Sequence, residues 1–228
     1  MITVLGPRRR TLQTKDQLPR IFQANLARLF EQVIQPAMEA LPVHASLECG
    51  EAATMDEFLD RAAAQVDNYT ANEAAKAFTL TLAGIFERQL SIWARAVYLD
   101  LAIEMPKARG FQEFLAICAE RAGIDVQQTG VGSDLNEMFM VANVVRHGEG
   151  SSCEKLMAIA PMLWDDASND YHDLLAGPRI PSEHLRIRMR DLVRYIWATT
   201  RFWGLADPLP MAVTDPPYRV EARGGESA

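Results

Sequence analysis

Residues 72–104, NEAAKAFTLTLAGIFERQLSIWARAVYLDLAIE, form the stretch from which the fold can be predicted. Large apolar side chains recur in it at steps of three or four residues, which is the spacing of one face of an α-helix. A helix of this length spans about 45 Å, and we expect it to be the central helix of the domain. Its apolar stripe consists of Phe78, Leu82, Phe86, Leu90, Trp93, Val97 and Leu101.

Similar apolar spacing on both sides of this stretch predicts further helices. No stretch alternates between apolar and polar residues as a half-buried strand does. The predicted fold class is therefore all-α, an antiparallel helical bundle. Further helices are predicted from Leu18 to Pro36 or Pro42, from the capping-box sequence Thr54–Glu57 onward, and from Phe111 to Gly123. The remaining helices are predicted from Ser133 or Asp134 to His147, from Ser151 or Ser152 to Pro161, and from Pro181–Ser182 to residue 204.

The helical pattern divides the chain into three parts. Residues 1–70 are predicted to hold a basic arm and an N-terminal helical pair that packs on the bundle, and residues 71–205 the bundle itself. Residues 206–228 are rich in Pro, Gly and charge and are expected to form a flexible tail or to lie on the surface. Inside the bundle, residues 161–181 read as an irregular segment that Trp164 and Tyr171 anchor to the core.

The composition is that of an ordinary globular protein, with 49% hydrophobic and 23% charged residues among 228. No apolar run reaches the roughly 20 residues that a membrane-spanning helix needs, so we expect no membrane partner and a cytoplasmic location. A net charge of −7 argues against binding nucleic acid through the whole surface. Three widely spaced cysteines predict reduced thiols rather than disulfides, and neither a metal site nor a cofactor-binding motif is indicated.

Chemically capable side chains crowd together before Gly148. Asn143, Arg146 and His147 fall within one helical turn, and on a helical wheel the latter two lie within about 60° of Asn143. One interpretation is a candidate site at the end of a helix. The other is structural, because cations in a last helical turn interact favourably with free backbone carbonyl groups.

The order of these motifs resembles that of bacterial HEPN-like proteins, the higher eukaryotes and prokaryotes nucleotide-binding superfamily. The resemblance covers residues 72–204 and consists of Phe86–Leu90, then Glu137–Gly150, then a helix ending at Arg201–Gly204. It implies a helical bundle, a homodimer, and a metal-independent endoribonuclease of a bacterial defence or toxin–antitoxin system. Active members carry an Arg four to six positions before the His, whereas this chain has Ala142 where that Arg is expected.

The resemblance implies roles for four side chains as catalytic candidates. His147 is the acid–base group, since imidazole changes protonation near neutral pH. Arg146 is a permanent cation that can bind phosphate oxygens. Asn143 would orient the imidazole or the phosphate, and Glu87, from the long helix, would select the tautomer of His147.

Arginines supply the candidate contacts to RNA or to a partner protein. Arg88 and Arg95 lie two turns apart on the polar side of the long helix, which is either a solvated face or the lining of a cleft. Arg186, Arg190 and Arg194 follow at steps of four in a locally basic segment, and they either bind phosphates or pair with acidic side chains of a neighbouring helix or subunit.

Two functional hypotheses follow from these features. The first is an HEPN-like protein that acts on or binds RNA, with an antitoxin or another protein as a possible partner. The second is a catalytically inactive helical module that dimerises or binds a partner through its apolar and arginine-rich faces. Cleavage of RNA in EDTA, and its loss in a His147→Ala variant, would distinguish them.

Overall fold

The computed structural model describes residues 13–44, 52–164 and 180–218. Within these ranges the regular structure is helical and no strand occurs, so the predicted all-α class is confirmed, whereas an HEPN-like arrangement of the helices stays a prediction. The predicted N-terminal arm lies mostly outside the described residues, and the Tyr171 anchor lies wholly outside them. The helices are α1 (Thr14–Leu29), α2 (Gln35–Glu39), α3 (Met55–Asp100), α4 (Phe111–Ala122), α5 (Val131–His147), α6 (Ser151–Ile159) and α7 (Met189–Ala206), with a π-helical turn at Phe30–Ile34 and a 3-10 turn at Pro161–Leu163.

Helix α3 is a single element of 46 residues, about 69 Å long. Its start is the predicted one, because the Thr54 hydroxyl accepts a hydrogen bond from the backbone N–H of Glu57 at 3.2 Å. The predicted division into two helices is wrong, since no Gly or Pro interrupts residues 55–83 and the helix continues through them. The domain boundary that we placed between residues 70 and 71 therefore falls inside one helix.

The core lies where α1, α3, α5 and α7 pack against one another. Trp203 is fully buried at its centre and donates its indole N–H to Gln89 Oε1 at 2.9 Å, so the one polar atom of this side chain is satisfied. Phe22 and Phe86 meet the Trp203 ring edge-on, with centroids 5.0 and 5.9 Å away. An aromatic contact from each of three helices thus fixes their relative positions.

The start of α7 differs from the prediction. The sequence pattern places it at Pro181–Ser182, but residues 185–188 are extended and the helix begins at Met189. The cause is Asn72, whose side-chain amide donates to the Leu185 carbonyl and accepts from the Ile187 N–H, both at 2.9 Å. Backbone groups that bond to a neighbouring element in this way are not available to a helix.

The start of α5 also differs. The helix begins at Val131 after Gly130, and neither Ser133 nor Asp134 caps it. Asp134 and Glu137 have the spacing of a capping box, but both are buried and bind Arg194 of α7. The end is as predicted, because Gly148 terminates the helix with a φ of 71°.

Residues 207–218 are held against the bundle, whereas residues 219–228 lie outside the described residues. The Gln23 amide bridges α7 and this segment by donating to the carbonyls of Thr200 and Val213, each at 2.8 Å. Gly204 permits the approach, since a Cβ there would overlap the Val213 carbonyl oxygen.

None of the described helices combines the length and the apolar character needed to cross a membrane.

Candidate functional site

The predicted cluster at the end of α5 is solvent-facing. Arg146 and His147 are exposed in the last turn, and Asn143, one turn earlier, is half-buried. Within the described part of the chain, no hydrogen bond or ion pair joins these three side chains to one another or to Glu87. Glu87 is itself exposed on α3, where its backbone carbonyl accepts from the Ser91 hydroxyl. Within one chain these four side chains are therefore not joined by hydrogen bonds or ion pairs, and their catalytic role stays a prediction.

Asn143 lines an open polar cavity of about 310 Å³ between α4, α5 and α6. Two basic residues that the sequence reasoning missed, Arg109 and Lys155, lie at the same cavity. At the same cavity the Gln112 amide of α4 donates to Asn136 Oδ1 of α5. Arg109 and Lys155 belong to segments far apart in sequence, so only the packing of α4 and α6 against α5 could reveal them.

Arg194 lies inside the bundle and not on its surface. Its guanidinium is 7% exposed and contacts three carboxylates, Asp134 at 2.8 Å, Glu137 at 2.7 Å and Asp191 at 3.2 Å. The Tyr195 hydroxyl donates to the same Glu137 Oε1 at 2.9 Å. We call these five residues the buried ionic cluster. Of the two interpretations of the arginine pattern, the structure gives Arg194 the acidic residues of a neighbouring helix as partners.

The neighbouring carboxylates favour the charged form of Arg194. Burial opposes the charge of the Arg194 guanidinium, yet Glu137 and Asp134 outweigh that effect and the pKa of Arg194 is raised. Burial raises the pKa of Asp191, against the opposing effects of the Arg188 N–H and of Arg194. In the sequence, Asp134 and Glu137 stand three residues apart among apolar neighbours. This spacing is typical of a capping box, so it indicated the two residues but not their buried partner.

Arg88 and Arg95 remain exposed on α3, as predicted for a polar face. The Arg95 Nε donates to the Ser91 carbonyl at 3.2 Å, a contact within the helix itself. Among the described residues, no hydrogen bond or ion pair joins either arginine to the end of α5, and their role in binding RNA or a partner stays a prediction.

Arg186 and Arg190 lie at a second cavity, of about 330 Å³, between α3 and the start of α7. Arg186 is 6% exposed and belongs to the extended segment, whereas Arg190 is exposed in the first turn of α7. The predicted helical face with arginines at steps of four is therefore wrong for Arg186. Across the cavity, Asn68 holds the backbone of His44 by accepting from its N–H at 2.8 Å and donating to its carbonyl at 3.1 Å.

An apolar stripe on the N-terminal part of α3 is open to solvent. It consists of Met55, Phe58, Leu59, Ala62 and Val66, and we call it the α3 stripe. The exposed fractions are 71% for Met55, 59% for Phe58, 55% for Leu59 and 58% for Val66. The opposite side of this part of the helix, which carries Ala64, Asn68 and Ala71, is buried. We expected these apolar residues to pack on the bundle.

Among the described residues, no group of three His, Cys, Asp or Glu side chains is arranged to hold a metal ion. In comparisons with known proteins, no family model, no curated protein and no solved structure matches the chain.

Proposed function

We propose that this chain is a helical dimerisation module and that the α3 stripe is the surface through which two copies associate. The observation that carries the proposal is the exposure of four large apolar side chains on consecutive turns of one helix. Scattered apolar side chains are normal on protein surfaces, but a contiguous apolar strip marks an interaction site.

The spacing of the α3 stripe fits a second helix of the same kind. Met55, Leu59, Ala62 and Val66 are separated by four, three and four residues, which is the spacing of the contact positions in paired helices. The positions beside them are Asp56, Phe58, Ala63 and Gln65, of which Asp56 is charged. Like charges on these flanks would repel in a symmetric pair, and their scarcity permits a copy of the chain as the partner.

The contribution of the α3 stripe to dimer stability can be tested by size-exclusion chromatography with light scattering. The wild type is expected at twice its chain mass of 25.4 kDa. The variant Phe58→Ser/Leu59→Ser is expected at the monomer mass. Each replacement removes about 1–2 kcal/mol of apolar burial from the interface. Because a symmetric dimer contains both replacements twice, the four changes together weaken association by about a thousandfold or more.

Leu99→Ser is the matched control, because Leu99 is 82% exposed near the other end of α3 and lies outside the α3 stripe. This variant should remain a dimer. A wild type that stays monomeric at about 100 μM, the weak end of specific association, would rule out the proposal, as would a double variant that still dimerises.

A second candidate function is action on RNA by such a dimer in a bacterial defence or toxin–antitoxin setting. The observation in its favour is that the end of α5 is linked through residues 182–187 to Asn72, six residues beyond the last residue of the α3 stripe. Glu149, two residues after His147, accepts from the Ser182 N–H at 2.7 Å, and the segment that follows Ser182 is tied to Asn72. Dimerisation through the α3 stripe would therefore place two copies of Arg146 and His147 on one assembly.

Metal-independent RNA cleavage requires a base for the 2′-hydroxyl, an acid for the leaving oxygen and positive charge on the phosphate. Two copies of His147 would supply the first two and Arg146 the third. Total RNA should be cleaved in EDTA by the wild type and by His44→Ala, but not by His147→Ala. Intact RNA with the dimeric wild type, together with no retardation of labelled RNA in a gel, would contradict this function and leave the dimerisation proposal standing.

A further inference from the structure

The 330 Å³ cavity between α3 and the start of α7 has the size of a small-molecule site, since such sites occupy about 300–1,000 Å³. It lies on the side of α3 that is turned away from the α3 stripe, so a function of this cavity does not depend on dimerisation. Three segments form it: the end of α2 with the residues that follow it, the middle of α3, and residues 186–190.

Hydrogen bonds from two asparagines hold the walls of the cavity in place. Asn68 and Asn72, one turn apart on α3, each use both atoms of the side-chain amide to hold a separate backbone segment. Asn68 holds His44 on one side, and Asn72 holds residues 185–187 on the other. Both asparagines are 6% exposed; the two hydrogen bonds of Asn72 are buried, and the two of Asn68 are partly buried. The two segments are thereby kept apart at a defined separation, with the cavity between them.

The lining divides into an apolar part and a cationic part. Met38, Val43, Ile187 and Met189 supply the apolar surface, and three arginines, Arg186, Arg188 and Arg190, supply the charge. The backbone at this point is also the first turn of α7, an 18-residue helix whose N-terminus favours negative charge. Asp191 lies in the same turn, where its carboxylate accepts from the Arg188 N–H and binds Arg194, so the helix N-terminus already has one anionic partner.

We propose that this cavity binds an amphipathic monoanion, a hydrocarbon chain that ends in a carboxylate. The chain lies among Met38, Val43, Ile187 and Met189, where its burial provides the affinity. The carboxylate lies at Arg190, whose exposed, planar guanidinium can bind both of its oxygens. The volume accommodates roughly ten groups of the size of a water molecule, which corresponds to a medium-length chain.

The experiment is calorimetric titration of the full-length protein with decanoate. Decanol, which has the same chain without the charge, is the matched ligand, and acetate, which has the charge without the chain, is the second. Decanoate is expected to bind at least tenfold more tightly than either. Equal binding of decanol and decanoate, or no binding of decanoate at millimolar concentration, would overturn the proposal.

Two variants locate the binding. Arg190→Gln removes an exposed cation at the cavity and is expected to weaken decanoate about tenfold while leaving decanol unchanged. Ala71→Leu places a larger side chain in the cavity wall and is expected to weaken both ligands. The control is Arg95→Gln, which removes an exposed arginine elsewhere on α3 and should change nothing. Decanoate binding that survives both cavity variants, in proteins whose circular dichroism is that of the wild type, would place the ligand elsewhere and refute the assignment.

Discussion

Replacement of Arg194 by methionine tests the account of the buried ionic cluster. Methionine retains much of the length of the side chain but none of its charge, so the carboxylates of Asp134, Glu137 and Asp191 would remain buried without their shared cation. Breaking a buried ion pair from one side costs about 3–5 kcal/mol, because the remaining charge is no longer compensated. For a chain of this size that corresponds to a fall of about 6–20 °C in the unfolding temperature.

The measurement is urea and thermal unfolding followed by circular dichroism. Arg95→Met is the matched control, because Arg95 is exposed on α3 and its replacement should change stability by less than about 0.5 kcal/mol. If Arg194→Met costs no more than this control, the buried ionic cluster does not contribute to the fold as argued. A variant that also carries Asp134→Asn and Glu137→Gln should recover part of the loss, since fewer charges are then left uncompensated.

The pH dependence of the same variant gives an independent test. Burial raises the pKa of Asp191 above 3.8 in the folded state, and Arg194 is one of the groups that oppose this increase. A carboxyl group whose folded pKa is raised favours folding most at low pH and loses that contribution as the pH rises through the folded pKa. Without Arg194 the pKa rises further, so the destabilisation of Arg194→Met should be smaller at pH 5 than at pH 8. A penalty that grows on acidification would contradict this reasoning.

Three further predictions concern the packing. Gly204→Ala should cost about 1–3 kcal/mol and make residues 207–218 sensitive to limited proteolysis, because the added Cβ overlaps the Val213 carbonyl oxygen; an unchanged cleavage pattern would show that this segment does not depend on the contact. Asn72→Leu should cost about 1–3 kcal/mol by leaving two buried backbone groups unbonded, and amide exchange should increase at Ile187 more than at sites in the aromatic core. Burial raises the pKa of the Cys118 thiol to about 12, so its alkylation by iodoacetamide at pH 8 should be slow in the folded protein and fast in urea, as peptide mass spectrometry can measure; equal rates would mean that the thiol is accessible.

Local signals in the sequence predicted local structure well. The hydroxyl of Thr54 caps α3 as expected, and glycines follow the last residues of α4 and α5. The signals that misled involve a partner far away in the chain. Asp134 and Glu137 have the spacing of a capping box, but Arg194 binds them from 60 and 57 residues away. Apolar periodicity cannot show such a partner, because it reports which face is buried and not what that face meets.

The candidate site could be predicted only in part for the same reason. Asn143, Arg146 and His147 follow one another on α5, so helical spacing was enough to place them near each other. Glu87 lies on another helix, and which way its side chain points depends on how α3 is rotated in the bundle. That rotation is set by contacts such as the one between Trp203 and Gln89, which no spacing rule reveals.

The length of α3 has a consequence for how the α3 stripe is presented. A helix of about a dozen residues is marginal in water by itself, because forming the first turn is costly, whereas adding residues to an existing helix is not. Residues 55–66 extend a helix that the core has already nucleated, and they need no turn of their own. The α3 stripe can therefore be ordered before a second chain arrives, so association does not have to offset the conformational entropy of folding this segment.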